Sequence, residues 1–358
     1  MYNFILNKTK PFFILGMLGM FLLTGCDKDE EGDPNDYKLI EQGNTVFVIN
    51  EGAFMNENSS LSYIDKTKNN IDNDFFYDVN DRLLGDVFQS MEIINNEGYL
   101  VINNSGVVEV VDHKTIELKT TIDGFNSPRY ILPVDESTAY VSDMFEGCIW
   151  VVDLDDHTIE SEIEFPGGWS EAMVKIDDNV FVTAPNVNKV YVIDPTSHSI
   201  TGSLEVLPQP NSLVTDKDGS LWVLSGGEFD FETGEQIEPG GLTEINAQTI
   251  EKIQQYSFPE DGISYSNLTI DESGKDLYYI GGGIWNMSID DQELAGEPLI
   301  ESQGENFYGI GVSPQTGNLY VGDAIDFDQR GVVLKYTSAG DKIDSYDAGV
   351  APGGFLFY

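Results

Sequence analysis

Few residues in this chain have both the type and the spacing to do chemistry. Asp323, Asp326 and Asp328 stand close together, and Asp86, Asp143 and Asp323 each follow an apolar segment that could bring them toward a common axis. Calcium tolerates such an oxygen-rich setting. The spacing is not that of an EF-hand, because the glycine and the closing glutamate fall outside its pattern, so no metal ligand is assigned and a solvated acidic loop is the expectation. His113, His157 and His198 recur at equivalent places in consecutive repeats, just beyond an Asp that ends a strand. That places them in three separate solvent-facing turns, too far apart to share a zinc ion or form a catalytic pair. The chain carries no H-x-x-x-H pair, nucleophile elbow, P-loop or dinucleotide fingerprint. Arg129 stands out because basic residues are scarce. At the start of an axial strand it can hold an anionic ligand group or clamp a neighbouring carboxylate. The chemistry that remains is binding, and no catalytic residue is expected.

The elements that must position these residues repeat. An aromatic-rich strand, a small or amide turn and a second apolar strand begin at Phe47, Leu100, Tyr140, Phe181, Trp222, Tyr279 and Tyr320. The period is about 41 residues in the compact copies, the length of a propeller blade. Short apolar segments bounded by Gly, Ser or Pro lie upstream of the pairs, at 86–94, 128–134, 170–176, 210–215, 265–270 and 307–312. They have the character of innermost strands crowded around an axis. Outer strands follow the pairs, as at 117–122, 159–165, 199–206 and 250–258. The pattern predicts an all-β, seven-bladed β-propeller with four-stranded blades over residues 45–358. Blade one lacks an inner strand, and the segment 352–358 at the other end matches one. It is expected to close blade one, with Phe355, Phe357 and Tyr358 structural.

Propeller topology sends the loops between second and third strands, and those between one blade and the next, to a single face. Amides, aromatics and glycines collect there, whereas the opposite turns read as ordinary hairpins. The residues expected to bind a ligand on this face are Phe54, Asn80, Asn103, Asn104, Arg129, Phe145, Trp169, Asn211, Tyr265, Phe307, Tyr308 and Phe327. Flat apolar area framed by amide donors and acceptors suits a large, partly planar, amide-decorated ligand or a protein surface. The insertion at 228–239 either caps this face or projects into solvent. Trp222 is expected between blades.

The N-terminus reads differently. Lys8 and Lys10 precede an apolar run that ends in Leu23-Thr24-Gly25-Cys26, which looks like the signal sequence and lipobox of bacterial lipoproteins. Residues 1–25 are therefore expected to be removed and Cys26 to carry the lipid. Residues 26–44 form an acidic tether too polar to fold alone. Cys148 is then the only free thiol, and no disulfide framework is expected. The formal net charge is −44, from 62 acidic and 18 basic residues. A field of that sign disfavours nucleic acid and anionic lipid surfaces, leaving the N-terminal lipid as the expected membrane contact.

Over residues 45–358 the chain resembles the cobamide-binding surface propeller lipoproteins of Bacteroidota (BtuG type), within the broader YncE-like propeller group. The resemblance rests on Val48-Ile49-Asn50-Glu51-Gly52, Leu84-Gly85-Asp86, Asn103-Asn104-Ser105-Gly106, Ser127-Pro128-Arg129-Tyr130, Asp218-Gly219-Ser220-Leu221-Trp222-Val223, Asn306-Phe307-Tyr308-Gly309, Tyr320-Val321-Gly322-Asp323-Ala324 and Pro352-Gly353-Gly354-Phe355. It implies a non-enzymatic, outward-facing outer-membrane lipoprotein. Such a protein captures a cobamide such as vitamin B12 across its loop-rich face and passes it to a TonB-dependent outer-membrane transporter. The acidic residues after Cys26 resemble the surface-export signal of these lipoproteins. The alternatives are a protein-interaction or other-ligand scaffold, and a propeller hydrolase or lyase with an axial metal.

Overall fold

A computed structural model describes residues 40–358. The expected signal peptide, Cys26 and most of the tether lie outside the described residues. Seven antiparallel four-stranded sheets account for nearly all of the regular structure. Blade two runs from its inner strand Phe88–Ile94 through Glu97–Ile102 and Val107–Asp112 to Leu118–Asp123. Blades three and four follow the same order, and blade five repeats it with a two-stranded hairpin, Glu228–Phe229 with Gln236–Glu238, inserted between its second and third strands. Blade six has an outer strand of only two residues, Ile300–Glu301. Among the described residues, helix is confined to Phe75–Asn80 and a single 3-10 turn, Pro185–Val187. No helix there is long and apolar enough to cross a membrane.

Burial within a blade grades from the middle outward, and the sequence follows it. The second strand of blade five, Ser220–Ser225, is buried at every position but its first, because a neighbouring blade covers each face. Such a strand reads as a continuous apolar run. Trp222 sits there with no exposed surface, and its indole N–H donates to Asp216 at 2.9 Å. The outer strand Ser199–Glu205 alternates between half-buried and exposed residues, since solvent reaches one of its faces. Cys148 is free and buried, and burial pushes its thiol up to about 12.

The ring closes as expected. Pro352–Phe357 pairs with Thr45–Asn50 in the register Val46 to Phe357, Phe47 to Leu356 and Val48 to Phe355. Tyr358 and Thr45 exchange backbone hydrogen bonds of 3.0 and 3.1 Å beyond that ladder. The Phe357 ring meets Tyr320 of blade seven edge-on at 5.5 Å, and Tyr358 is buried against Phe47.

The histidines lie on three different blades, as expected, and each also bonds back to the blade before it; His198 is exposed and His157 half-buried, and only His113 departs from the reading of solvent-facing turns. His113 is buried and hydrogen-bonded to the Tyr358 hydroxyl at 2.7 Å, and His198 to that of Tyr140 at 2.7 Å. His157 meets the Glu97 carboxylate at 2.8 Å. The turn after each third strand overhangs the adjacent sheet, so an imidazole there becomes a clip across the seam.

Candidate functional site

The inner strands share a defect that creates the site. In blades one, two, three, five, six and seven the ladder between the innermost strand and its neighbour slips by one residue at the loop-rich end. A β-bulge of this kind leaves one residue unpaired and re-aims its side chain. The residue passed over is Gly353, Gln89, Asn211 or Tyr308 in blades one, two, five and seven. In blade three the slip spans Arg129 and Tyr130, and in blade six Asn267 and Leu268. These residues line an axial cavity of about 510 Å³, together with Glu51 and Glu171. The backbone just before the bulge is left-handed in blades one, two and five, at Ala351, Val87 and Gln209. Valine at φ 60° is a strained choice, held there by its surroundings.

Two polar clusters face one another across the cavity. In the first, the Arg129 Nε donates to both oxygens of Glu171 at 3.1 and 2.9 Å, and Nη2 donates to Oε1 at 2.7 Å. Its Nη1 donates to Gln89, and the Trp169 indole N–H donates to the other Glu171 oxygen at 2.5 Å. Burial opposes the charge on Arg129, but Glu171 outweighs it and holds the guanidinium protonated. This cluster satisfies itself: a forked donor meets a carboxylate in the geometry that suits both.

The second cluster has fewer side-chain bonds. The Tyr308 hydroxyl donates to Glu51 Oε2 at 2.6 Å. Glu51 is half-buried, and its carboxyl lines the cavity. Burial raises its carboxyl from 4.5 to about 7, although Tyr308 and Arg129 pull the other way. Burial and the Glu51 charge likewise push the Tyr308 phenol upward. The Glu51 backbone is pinned on both sides, by its N–H to Ala351 at 3.0 Å and by its carbonyl accepting from Phe88 at 3.2 Å. A Cβ at Gly353 would stand 2.6 Å from Glu51 Oε1 and 3.0 Å from the Tyr308 ring, so the Glu51 carboxyl in its present position needs glycine there.

Hydrogen bonds between blades keep the rim in place. Asn211 Nδ2 donates to the Tyr265 carbonyl at 2.9 Å, Asn267 Nδ2 to the Tyr308 carbonyl at 2.5 Å, and Ser90 Oγ to the Arg129 carbonyl at 2.7 Å. A further hollow of about 500 Å³ adjoins the mouth, bounded by Trp169, Gln209, Asn211, Glu228 and Phe229, so the inserted hairpin of blade five stands beside the opening.

A profile of the family described as Domain of unknown function (DUF5074) matches residues 44–348. The chain belongs to that family. Membership agrees with the broader propeller group read from sequence and does not single out its cobamide-binding branch. None of the curated proteins matches the chain in sequence. Solved structures similar to this DUF5074 propeller include a quinonprotein alcohol dehydrogenase-like protein from Bacteroides thetaiotaomicron, at TM-score 0.65 and 17% identity over 88% of this chain and 78% of that one. The periplasmic gluconolactonase of Pseudomonas aeruginosa superposes at TM-score 0.64 and 10% identity, over 87% of this chain and 99% of its own. A putative 6-phosphogluconolactonase from Bacteroides fragilis does so at 0.64 and 14%, over 92% and 100%. At these identities the likeness is one of fold.

Of the twelve candidate binding residues, Arg129, Asn211 and Tyr308 meet at the axial cavity, and Trp169 reaches it through Glu171. The others are elsewhere. Asn80 closes the helix before blade two, donating to Phe76 and Ile116 while accepting from Leu118. Asn103 is buried between blades two and three on Ser127 and Pro128, and Asn104 holds Asp86. Tyr265 has its ring in the core, stacked on Phe258 at 3.8 Å, and only its strand edges the cavity. Phe307 packs in the seam of blades six and seven. Phe54 and Phe145 are exposed on outlying loops, and Phe327 stands edge-on behind Tyr308 at 4.9 Å. Asp86, Asp143 and Asp323 do not approach the axis. Each is occupied by backbone N–H groups of its own loop or the next, such as Met55, Ser127 and Asn306. Asp326 similarly accepts from the N–H groups of Asp328 and Gln329. Among the described residues no three His, Cys, Asp or Glu are grouped as metal ligands. Reading by loop composition missed Glu51, Gln89, Glu171 and Asn267. Aligning the second residue of each inner strand would have found Gln89 beside Arg129, Asn211 and Tyr308.

Proposed function

We propose that this chain is a non-catalytic receptor that takes a polar organic ligand at the axial mouth. The observation that carries the reading is the pairing inside the cavity: Arg129, its one strong cation, is consumed by Glu171 and Gln89. A pair so engaged supports a preformed polar wall more than a reacting group. A wall fixed in advance limits the ordering cost of binding. Cobamide is the ligand that the sequence resemblance puts first. A corrin is too large for a cavity of about 510 Å³, so the macrocycle would lie across the mouth and only a peripheral group would enter. In the same proposal, lipid on Cys26 holds the protein at the outer membrane facing outward, and a TonB-dependent transporter receives the ligand.

Titration of the purified protein with cyanocobalamin, by calorimetry and by corrin absorbance, tests this. One-to-one binding that is unaffected by chelator and weakened by Arg129→Met supports it. No heat and no spectral change at micromolar concentrations removes cobamide as the ligand.

A further inference from the structure

We propose that the Glu51 carboxyl reads an N–H donor on the ligand, an amide or an ammonium, and accepts it as a carboxylate, so that capture releases a proton to solvent. The inference rests on the axial cavity being the binding site. Its first support is geometric. Glu51 Oε2 takes the Tyr308 hydroxyl, and no other side chain among the described residues donates to this carboxyl. Gly353 leaves the flank of Oε1 without a side chain. The nearest cation, Arg129, is turned to Glu171 and Gln89. A half-buried carboxyl that takes one side-chain donor, beside a cation already paired elsewhere, is an acceptor with room for a further donor.

The groups facing Glu51 are Tyr308 of blade seven, Arg129 and Tyr130 of blade three, and Glu171 of blade four. Arg129 and Glu171 stay paired, and both phenols are held neutral, their titration pushed upward by burial. Glu51 is therefore the group that changes charge. With a donor absent, burial keeps about half of it protonated near pH 7. An N–H group brought within hydrogen-bond distance favours the ionised form, and the displaced proton leaves to buffer. The chain's net charge of −44 adds to the attraction when that donor is cationic.

The test uses ¹⁵N-labelled protein titrated with acetamide and, separately, methylammonium chloride, reading the backbone amides of Gly353 and Gly354. Between pH 6 and pH 8 the ionised fraction rises from roughly a tenth to nine-tenths, so the dissociation constant should fall about tenfold. Glu51→Gln should abolish that pH dependence. Tyr308→Phe keeps the carboxyl but removes its donor, and should move the midpoint upward, which a purely structural role for Glu51 would not do. Salt weakens methylammonium binding but leaves acetamide binding unchanged, which separates the two sources of the donor. Axial amides that respond to neither probe, or an affinity that is flat or tighter at pH 6, would overturn the inference. Cyanocobalamin binding equally at both pH values would leave the receptor standing and remove Glu51. Probe binding with this pH profile but no cobalamin binding would do the reverse.

Discussion

Glu51→Gln should stabilise the protein, and only at neutral to alkaline pH. The folded carboxyl titrates at about 7, against an ordinary value of 4.5. Between those values the folded state holds a proton that the unfolded state has lost, so stability declines as pH rises through the window and levels off above it. At about 1.4 kcal/mol per pKa unit, the full penalty of ionising Glu51 is about 3 kcal/mol. Solvent entering by the mouth makes that an upper bound. Glutamine has no charge to desolvate and still accepts the Tyr308 hydroxyl, so the variant escapes the penalty. Urea unfolding at pH 4.5 and pH 8, for both proteins, cancels the background titration of the other acidic residues. The variant should match wild type within about 1 kcal/mol at the lower pH and exceed it by about 1–3 kcal/mol at the higher. A difference that does not change with pH, or wild type gaining on the variant as pH rises, would show that Glu51 already has a compensating partner. A site that costs stability in this way is what binding function commonly exacts from a scaffold.

Arg129→Met should leave the buried Glu171 uncompensated and cost about 3–5 kcal/mol in thermal or urea unfolding, with part of the loss recovered by Glu171→Met in the same chain. Trp222→Ala should cost about 3–5 kcal/mol, since it opens a cavity between blades and strips Asp216 of a donor. Removing residues 352–358 should expose the edge of Thr45–Asn50 and leave little soluble protein on expression, whereas an otherwise identical chain with Phe231 in the exposed hairpin changed to Ser should be unaffected. Cys26→Ala should abolish metabolic lipid labelling, and protease added to intact cells should cleave the wild-type protein if it faces outward.

Repetition made the fold legible. Strands such as Ser220–Ser225 must be apolar on both faces because a blade lies on each side, so the same phrase returns with every blade. The missing inner strand of blade one could be paired with the surplus segment at 352–358 by requiring that no edge stay open. The site was less legible for a physical reason. Loop composition marks asparagines and aromatics as binding residues, yet Asn103 and Asn80 are spent on orphaned backbone groups, and Tyr265 fills space between sheets. Those are the demands of closing a ring, and they use the same residue types as a binding face. The bulge position is different. Its side chain is released from the ladder and points to the axis, and the fold there accepts Gly353, Gln89, Asn211 and Tyr308 alike. Where the scaffold imposes so little chemistry of its own, side chains are free to serve the axis, and in our proposal Glu51, with one side-chain donor on its carboxyl, is where the ligand binds.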